Sequence, residues 1–190
     1  MTSPLTVAVL AGGASRRMGT DKVVLEIGGI ALVDHVLAAA GGLPTLVVGR
    51  PHPTSNWVDD PTPERLGPLA GLVAALTATA GPVLVVGADQ PWLRSATVQA
   101  LASLDRPDEP VAPLDAGVLQ VLCAVYPQRV LAPARRLLSS GHGLQALLDT
   151  GCRQVPPDEW KRWGEDGRSW FSVDTPDQIA EGVKRYGSPG

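Results

Sequence analysis

Aromatic residues other than tryptophan are scarce in this chain of 190 residues, which holds one Phe and two Tyr against five Trp, and cysteine and methionine occur twice each. Cys123 and Cys152 stand far apart with no paired spacing for zinc, and one pair is too few for the disulfide framework of a secreted scaffold. Cys123 lies within the apolar run Val118–Tyr126 and reads as a small buried hydrophobe rather than a nucleophile. The three histidines, His35, His52 and His142, show no metal-ligand spacing. Positive charge is not in excess: 16 Lys and Arg against 19 Asp and Glu leave a formal charge of −3, which excludes a general polyanion surface and makes nucleic acid an unexpected partner. Nor does any apolar run approach the roughly 20 residues needed to cross a bilayer. No membrane span and no signal peptide are read, so the cytoplasm is the expected compartment.

What is present is the alternation of a layered α/β protein. Short apolar runs at Leu5–Leu10, Pro44–Val48, Pro82–Gly87, Pro110–Pro113, Val118–Tyr126 and Trp170–Val173 predict strands. Between them, Leu32, Val33, Val36 and Leu37 supply a helical stripe, and Leu69–Ala78, Ser95–Ser103, Arg129–Leu138, Leu144–Leu148 and Pro176–Arg185 predict further helices. Ser95 and Thr175 suit N-caps, the latter followed by Pro176 at the first helical position. The 18 prolines and 21 glycines are spread as loop punctuation, nothing repeats at a fixed period, and no polar linker divides the chain. The expectation is one domain over residues 1–190, a three-layer α/β/α sandwich with a Rossmann-like, mostly parallel sheet. Ligands of such a sheet gather at the carboxyl ends of its strands.

Two strand ends carry chemistry. The first run breaks into Ala11-Gly12-Gly13-Ala14-Ser15-Arg16-Arg17-Met18-Gly19-Thr20-Asp21-Lys22. Adjacent glycines let backbone approach a ligand and present N–H groups to anionic oxygens, and Arg16, Arg17 and Lys22 add cations. Neither a Gly-x-Gly-x-x-Gly fingerprint nor a P-loop is present. The run Val83–Gly87 ends in Ala88-Asp89-Gln90-Pro91-Trp92-Leu93, where a carboxylate at the mouth of a buried strand suits a hard cation such as Mg²⁺. An aspartate in that place also serves as a turn former or helix N-cap.

The string Leu-Ala-Gly-Gly-x-Ser-x-Arg-Met-Gly-x-Asp-Lys resembles the opening loop of nucleotidyltransferases that act on sugar-phosphate-like acceptors. Within them it is most similar to the molybdenum cofactor guanylyltransferases of the MobA-like NTP transferase family. Gly67-Pro68-Leu69-Ala70-Gly71, the Asp-x-Pro-x-Leu context of Asp89, and Trp170-Phe171-Ser172-Val173-Asp174-Thr175-Pro176-Asp177 resemble later motifs of that family, so the likeness spans residues 5–180. The resemblance implies a fold of the nucleotide-diphospho-sugar transferase type and an enzyme that transfers GMP from GTP to the terminal phosphate of molybdopterin, with or without molybdenum, releasing pyrophosphate. GTP and molybdopterin would be the substrates, Mg²⁺ the cofactor, and molybdoenzymes or cofactor-delivery proteins the macromolecular partners.

Carried over residue by residue, the resemblance implies that Leu10, Ala11, Gly12 and Gly13 hold the nucleotide, that Lys22 and Arg16 neutralise the α-phosphate and the leaving pyrophosphate, and that Asp60 and Asp89 contact the nucleotide. Asp89 would also bind the metal. Asp174 has two readings, a second metal ligand or local capping with Thr175, since the family often carries an amide there. Arg17 is read either as structural or as meeting the acceptor, and Asp21 as orienting Lys22. Gly12-Gly13 leaves room for a purine and favours GTP over CTP. The family often presents an asparagine after the second strand, whereas Gly49-Arg50-Pro51 stands here, so that contact is either lost or replaced by Arg50.

The open alternatives are cytidylyl transfer to molybdopterin, guanylyl transfer to another phosphorylated acceptor such as phospholactate, and a non-catalytic nucleotide-binding partner in cofactor delivery. For the acceptor phosphate, Arg94, Arg135, Arg136 and Arg153 compete with a reading as solvated charges. Trp160, Trp163 and Trp170 are read first as packing and second as a cover for a flat pterin. His142, between two glycines, is a further acceptor contact to be weighed.

Overall fold

The structure is a computed structural model that describes residues 4–12, 25–59, 67–104 and 108–190. In chain order its strands are β1 (Thr6–Leu10), β2 (Glu26–Ile27), β3 (Ile30–Ala31), β4 (Thr45–Val48), β5 (Asn56–Val58), β6 (Val83–Gly87), β7 (Val111–Asp115), β8 (Val118–Leu119), β9 (Cys123–Tyr126) and β10 (Arg153–Val155). Its helices are α1 (Leu32–Ala38), α2 (Pro68–Ala78), α3 (Ser95–Ser103), α4 (Leu131–Ser139), α5 (Gln145–Asp149), α6 (Pro157–Trp160) and α7 (Pro176–Tyr186). Among the described residues the main sheet has eight strands, ordered β10-β7-β9-β6-β1-β4-β5 with β8 paired to β7. β1 runs parallel to both β4 and β6, β4 to β5 and β7 to β10, while β9 is antiparallel to β6 and β7. The chain moves outward from β1 through β4 and β5 and then returns to β6 on the other side of β1. That reversal makes β1 the topological switch point, the place at whose carboxyl strand ends sheets of this kind bind their ligands.

Alternation along the central strands separates two cores. Ala8, Leu46, Val48, Val83 and Val85 pack with Leu69, Leu72 and Leu76 of α2, Ala134 of α4 and Leu147 of α5. Val7, Val9, Leu84 and Val86 pack on the opposite face with Val36 of α1, Val98 and Leu101 of α3, and Trp160. These two helix layers enclose the sheet as the three-layer sandwich requires. α2 is buried from Leu69 through Leu76, so it reads as apolar all round rather than as a striped surface helix. A third cluster joins Ile27, Leu32, Trp92 and Val173 with Phe171, Ile179 and Tyr186.

Several expected elements change. Trp170–Val173 is not a strand: Arg168–Trp170 is a 3-10 turn, and the rings that suggested β structure serve as packing pieces, Trp170 against Trp160 and Phe171 against Trp92 and Tyr186. The run Val118–Tyr126 divides into β8 and β9, because Cys123 N–H bonds Gln120 C=O in a turn and the partner of β7 changes there. Pro113, which has no N–H to give, stands at that change and accepts from Gln120 N at 2.9 Å. β5, β10, α6 and the β2–β3 hairpin are short elements that the apolar runs did not mark. Ser95 is the first residue of α3 rather than its cap, which is Arg94. Thr175 is the cap of α7, and Gln178 completes a capping box with it.

Candidate active site

The carboxyl ends of β4, β1 and β6 form one rim. Register sets Leu10 beside Val48 on one side and Gly87 on the other. The ladders continue past Leu10, since Ala11 N–H donates to Val48 C=O at 2.9 Å and Ala88 N–H to Leu10 C=O at 3.1 Å. Leu10 and Ala11 are half-buried and Gly12 is exposed, so the backbone emerges to solvent at this point. The first turn of α2 lies over the same strand end: a Cβ on Gly71 would stand 2.9 Å from Leu10 Cδ2. Gly67 caps α2 at φ 73°, ψ −165°, a conformation that excludes other residue types, and Pro68 opens the helix with its fixed φ.

Gly12 meets a second glycine. A Cβ on Gly49 would lie 2.5 Å from Gly12 Cα and 2.7 Å from Gly12 N, and Gly49 is held at φ +96°. Gly49 N–H donates to Val58 C=O at 2.8 Å, which fixes it to β5. Beyond it the β4–β5 loop is tied to α1, where His52 Nε2 donates to Asp34 Oδ1 at 3.1 Å. The adjacent His35 donates from Nε2 to Ile27 C=O at 3.0 Å and so holds the β2–β3 hairpin to the same helix. Neither tether was legible in the sequence, which showed only that these histidines lack metal-ligand spacing.

Asp89 stands at the end of β6, one strand from Leu10. Its Oδ1 is buried, and its carboxylate occupies the space that a side chain at Gly87 would fill. Gln90 braces the turn by accepting Gly87 N–H at 2.7 Å. Asp89 C=O accepts Val173 N–H at 2.8 Å, so the backbone preceding Asp174 is drawn against the Asp89 turn. Asp174 is exposed, and its N–H donates to Gln178 Oε1 at 2.6 Å beside the Thr175 cap. The structure thus assembles Leu10, Ala11, Gly12 and Asp89 at one rim and brings the Asp174 segment to it. Gly13, Arg16, Arg17, Asp21, Lys22 and Asp60 lie outside the described residues.

Among the described residues no cluster of three or more His, Cys, Asp or Glu side chains could hold a metal.

Most side chains considered for the acceptor have local partners. Trp160 and Trp170 pack edge to face at 5.3 Å and donate from Nε1 to Leu114 C=O at 3.0 Å and Asp115 Oδ2 at 2.8 Å. Trp163 packs into the same core, so all three take the packing role. Arg153 pairs with Glu159 at 2.8 Å, Arg94 donates to Gly164 C=O, and Arg135 donates to Thr77 Oγ1 at 3.1 Å. His142 is exposed. Burial pushes the Cys123 thiol far above its ordinary range, aided by the Glu165 charge, which agrees with a core residue and not a nucleophile. Sequence reasoning missed Glu165 altogether. Its buried carboxylate accepts from the hydroxyls of Thr97 and Ser169 and from the N–H groups of Asp166, Gly167 and Ser169 at 2.9, 2.8 and 3.3 Å.

Residues 7–156 match the MobA-like NTP transferase domain. A probable molybdenum cofactor guanylyltransferase of Chloroflexus aggregans is 31% identical over 188 residues, covering 90% of this chain and 89% of that protein. Another from Opitutus terrae is 36% identical over 178 residues, covering 85% and 88%. The crystal structure of molybdopterin-guanine dinucleotide biosynthesis protein A from Archaeoglobus fulgidus superposes with a TM-score of 0.80 at 22% identity, covering 95% of this chain and 97% of that one, and shows the same fold. Among the described residues no helix is long and apolar enough to cross a membrane. With the fold, the glycine-rich strand end and near full-length relatives in agreement, the chain belongs to the MobA-like NTP transferase family and is a nucleotidyltransferase.

Proposed function

We propose that this chain transfers GMP from GTP to the terminal phosphate of molybdopterin, forming the guanine dinucleotide cofactor and releasing pyrophosphate. The observation that carries the reading is the identity, 31% over 90% of the chain, with a relative named as a probable molybdenum cofactor guanylyltransferase. The rim geometry supports it: backbone at Leu10–Gly12 emerges between two neighbouring strands, and Asp89 stands one strand away. In this reading an oxygen of the acceptor phosphate bonds to the α-phosphorus of GTP while the bond to the β-phosphate oxygen breaks and pyrophosphate departs. Such transfer needs positioning and charge neutralisation more than covalent help from the protein.

The backbone of Leu10, Ala11, Gly12 and Gly13 holds the nucleoside. Lys22 and Arg16 supply positive charge to the α-phosphate and to the leaving group, and Asp60 contacts the nucleotide. Asp89, with Asp174 as a candidate second carboxylate, would hold Mg²⁺. A bound Mg²⁺ supplies charge neutralisation across the phosphates. The cytoplasm, where GTP is available, is the compartment this reaction requires, and acceptor molybdoenzymes or delivery proteins are the partners it implies.

The test is incubation of the purified chain with Mg²⁺, molybdopterin with and without molybdate, and either GTP or CTP, with pyrophosphate and dinucleotide product measured. Guanine dinucleotide formed from GTP alone is the expected result. Product from CTP alone overturns the base assignment, and silence with both overturns the acceptor.

A further inference from the structure

Gly87 ends β6 with its N–H turned away from β1. Ala88 N–H donates to Leu10 C=O at 3.1 Å, so Ala88 bonds on the β1 side and Gly87, one residue back, bonds on the β9 side. The β6–β9 register ends at Val86 opposite Cys123, so the ladder gives Gly87 N–H no acceptor. Gly87 is buried, and an orphaned N–H there would cost about as much as a lost hydrogen bond. Gln90, 3% exposed, meets the demand: its Oε1 accepts Gly87 N–H at 2.7 Å while its own N–H donates to Gly87 C=O at 3.3 Å. Gly87 and Gln90 thus close a ring around Ala88 and Asp89.

The ring sets where the Asp89 carboxylate lies. A Cβ on Gly87 would stand 2.4 Å from Asp89 Oδ1 and 3.5 Å from Gln90 Cδ, so carboxylate and amide converge on the one place that glycine leaves open. Gly87 is not among the glycines at positive φ, so it is required here for space rather than for conformation. On the far side, Val173 N–H holds Asp89 C=O at 2.8 Å. Reactions between phosphates depend on such placement, since a shift of about 1 Å in a reacting or charge-bearing group can cost about 10²-fold in rate.

On the guanylyl-transfer reading, in which Asp89 serves the reacting phosphates, we propose that Gln90 is a positioning residue: by accepting Gly87 N–H it locks the Asp89 carboxylate over Gly87 at the end of β6. The test is a double-mutant cycle in the full chain. Gln90→Met keeps the volume and removes the acceptor, and Gly87→Ala places a methyl group where Asp89 Oδ1 stands. Each should lower kcat for dinucleotide formation roughly 10- to 100-fold and leave GTP affinity measured without metal within about twofold. In the Asp89→Asn background each should cost less than about twofold, because the carboxylate they displace is gone.

That masking separates positioning from a structural role. Gln90→Met strands a buried N–H and should lower the melting temperature, but a loss of stability alone is the same in both backgrounds. Equal loss of kcat in the two backgrounds, or full kcat in Gln90→Met, overturns the assignment. The same cycle is read on Mn²⁺ affinity in the presence of GTP, by electron paramagnetic resonance of the free ion, which needs no acceptor. A wild type that forms no product while the cycle still shows masking on Mn²⁺ affinity overturns guanylyl transfer to molybdopterin and supports the positioning role. Unchanged kcat and unchanged Mn²⁺ affinity in Asp89→Asn overturn both the role of Asp89 and that of Gln90.

Discussion

Gly12 and Gly49 cross backbone against backbone at the head of the sheet, with no room for a side chain on either. A Cβ on Gly12 would stand 3.0 Å from Gly49 Cα, and one on Gly49 would stand 2.5 Å from Gly12 Cα. The asymmetry has a consequence, because Gly49 also sits at φ +96°, where an L-residue is strained, and Gly12 does not. Gly49→Ala should cost about 2–3 kcal/mol in urea unfolding, and Gly12→Ala about 1 kcal/mol or less. Both displace the strand end to which the proposed function assigns the nucleotide, so both should weaken GTP binding by about tenfold, ~1.4 kcal/mol. Equal stability losses in the two variants would contradict the positive-φ argument, and unchanged GTP affinity in both would detach this contact from the site.

The two readings of Asp174 separate by mutation. The cap of α7 is made by Thr175 and Gln178, so it survives when the Asp174 carboxylate is neutralised. Asp89→Asn should lower turnover by about 10²–10³, as loss of an electrostatic group facing the reacting phosphates does, while GTP binding measured without metal is retained. Asp174→Asn should keep the Thr175–Gln178 cap of α7 and raise the Mg²⁺ concentration needed for half-maximal activity. Thr175→Ala, the control, should lower stability by about 1 kcal/mol and leave the Mg²⁺ requirement alone. An unaltered Mg²⁺ requirement in Asp174→Asn assigns that residue to the helix terminus only.

The rim was legible because its signals are local. Val7–Leu10 and Val83–Gly87 are continuous apolar runs of strand length bounded by glycine, the form a buried strand takes, and each leads into a short polar segment at the same edge. What could not be read depends on tertiary partners. Glu165 has no pattern around it, since its donors come from α3 and from its own loop. Gly49 looks like an ordinary turn residue until Gly12 is set against it. Trp170–Val173 has strand-like composition, but its rings are claimed by Trp160 on one side and by Trp92 and Tyr186 on the other.

Trp92 is buried because α7 makes room for it. Gly182, in the middle of that helix, lies where a Cβ would collide with the six-membered ring of Trp92, and the indole Nε1 donates to Gly187 C=O at 2.7 Å. Glycine costs helix stability, and here its small size lets α7 approach the turn that carries Asp89. Gly182→Ala gains helix propensity, about 1 kcal/mol, but forces overpacking that costs about 1–3 kcal/mol. The net expectation is a lower melting temperature with a shift in tryptophan emission. A higher melting temperature would mean that the ring moves aside without penalty.

Glu165 tests whether the Gly164–Trp170 segment is held by a single buried carboxylate. Its two oxygens accept from three backbone N–H groups and two hydroxyls, joining the segment to Thr97 in the first turn of α3. Removing it leaves several buried donors without acceptors, at about 1–3 kcal/mol for each that water cannot reach. Glu165→Ala should therefore destabilise the protein by about 3 kcal/mol or more. Glu165→Gln keeps one oxygen for the N–H groups and offers an amide that either hydroxyl can accept from, so its cost should be about 1 kcal/mol. Since Trp170 of this segment donates to Asp115, Glu165→Ala should also speed hydrogen exchange at the β7–β8 hairpin while Glu165→Gln leaves it protected. Equal losses in the two variants would show that the negative charge, rather than the count of acceptors, holds the segment in place.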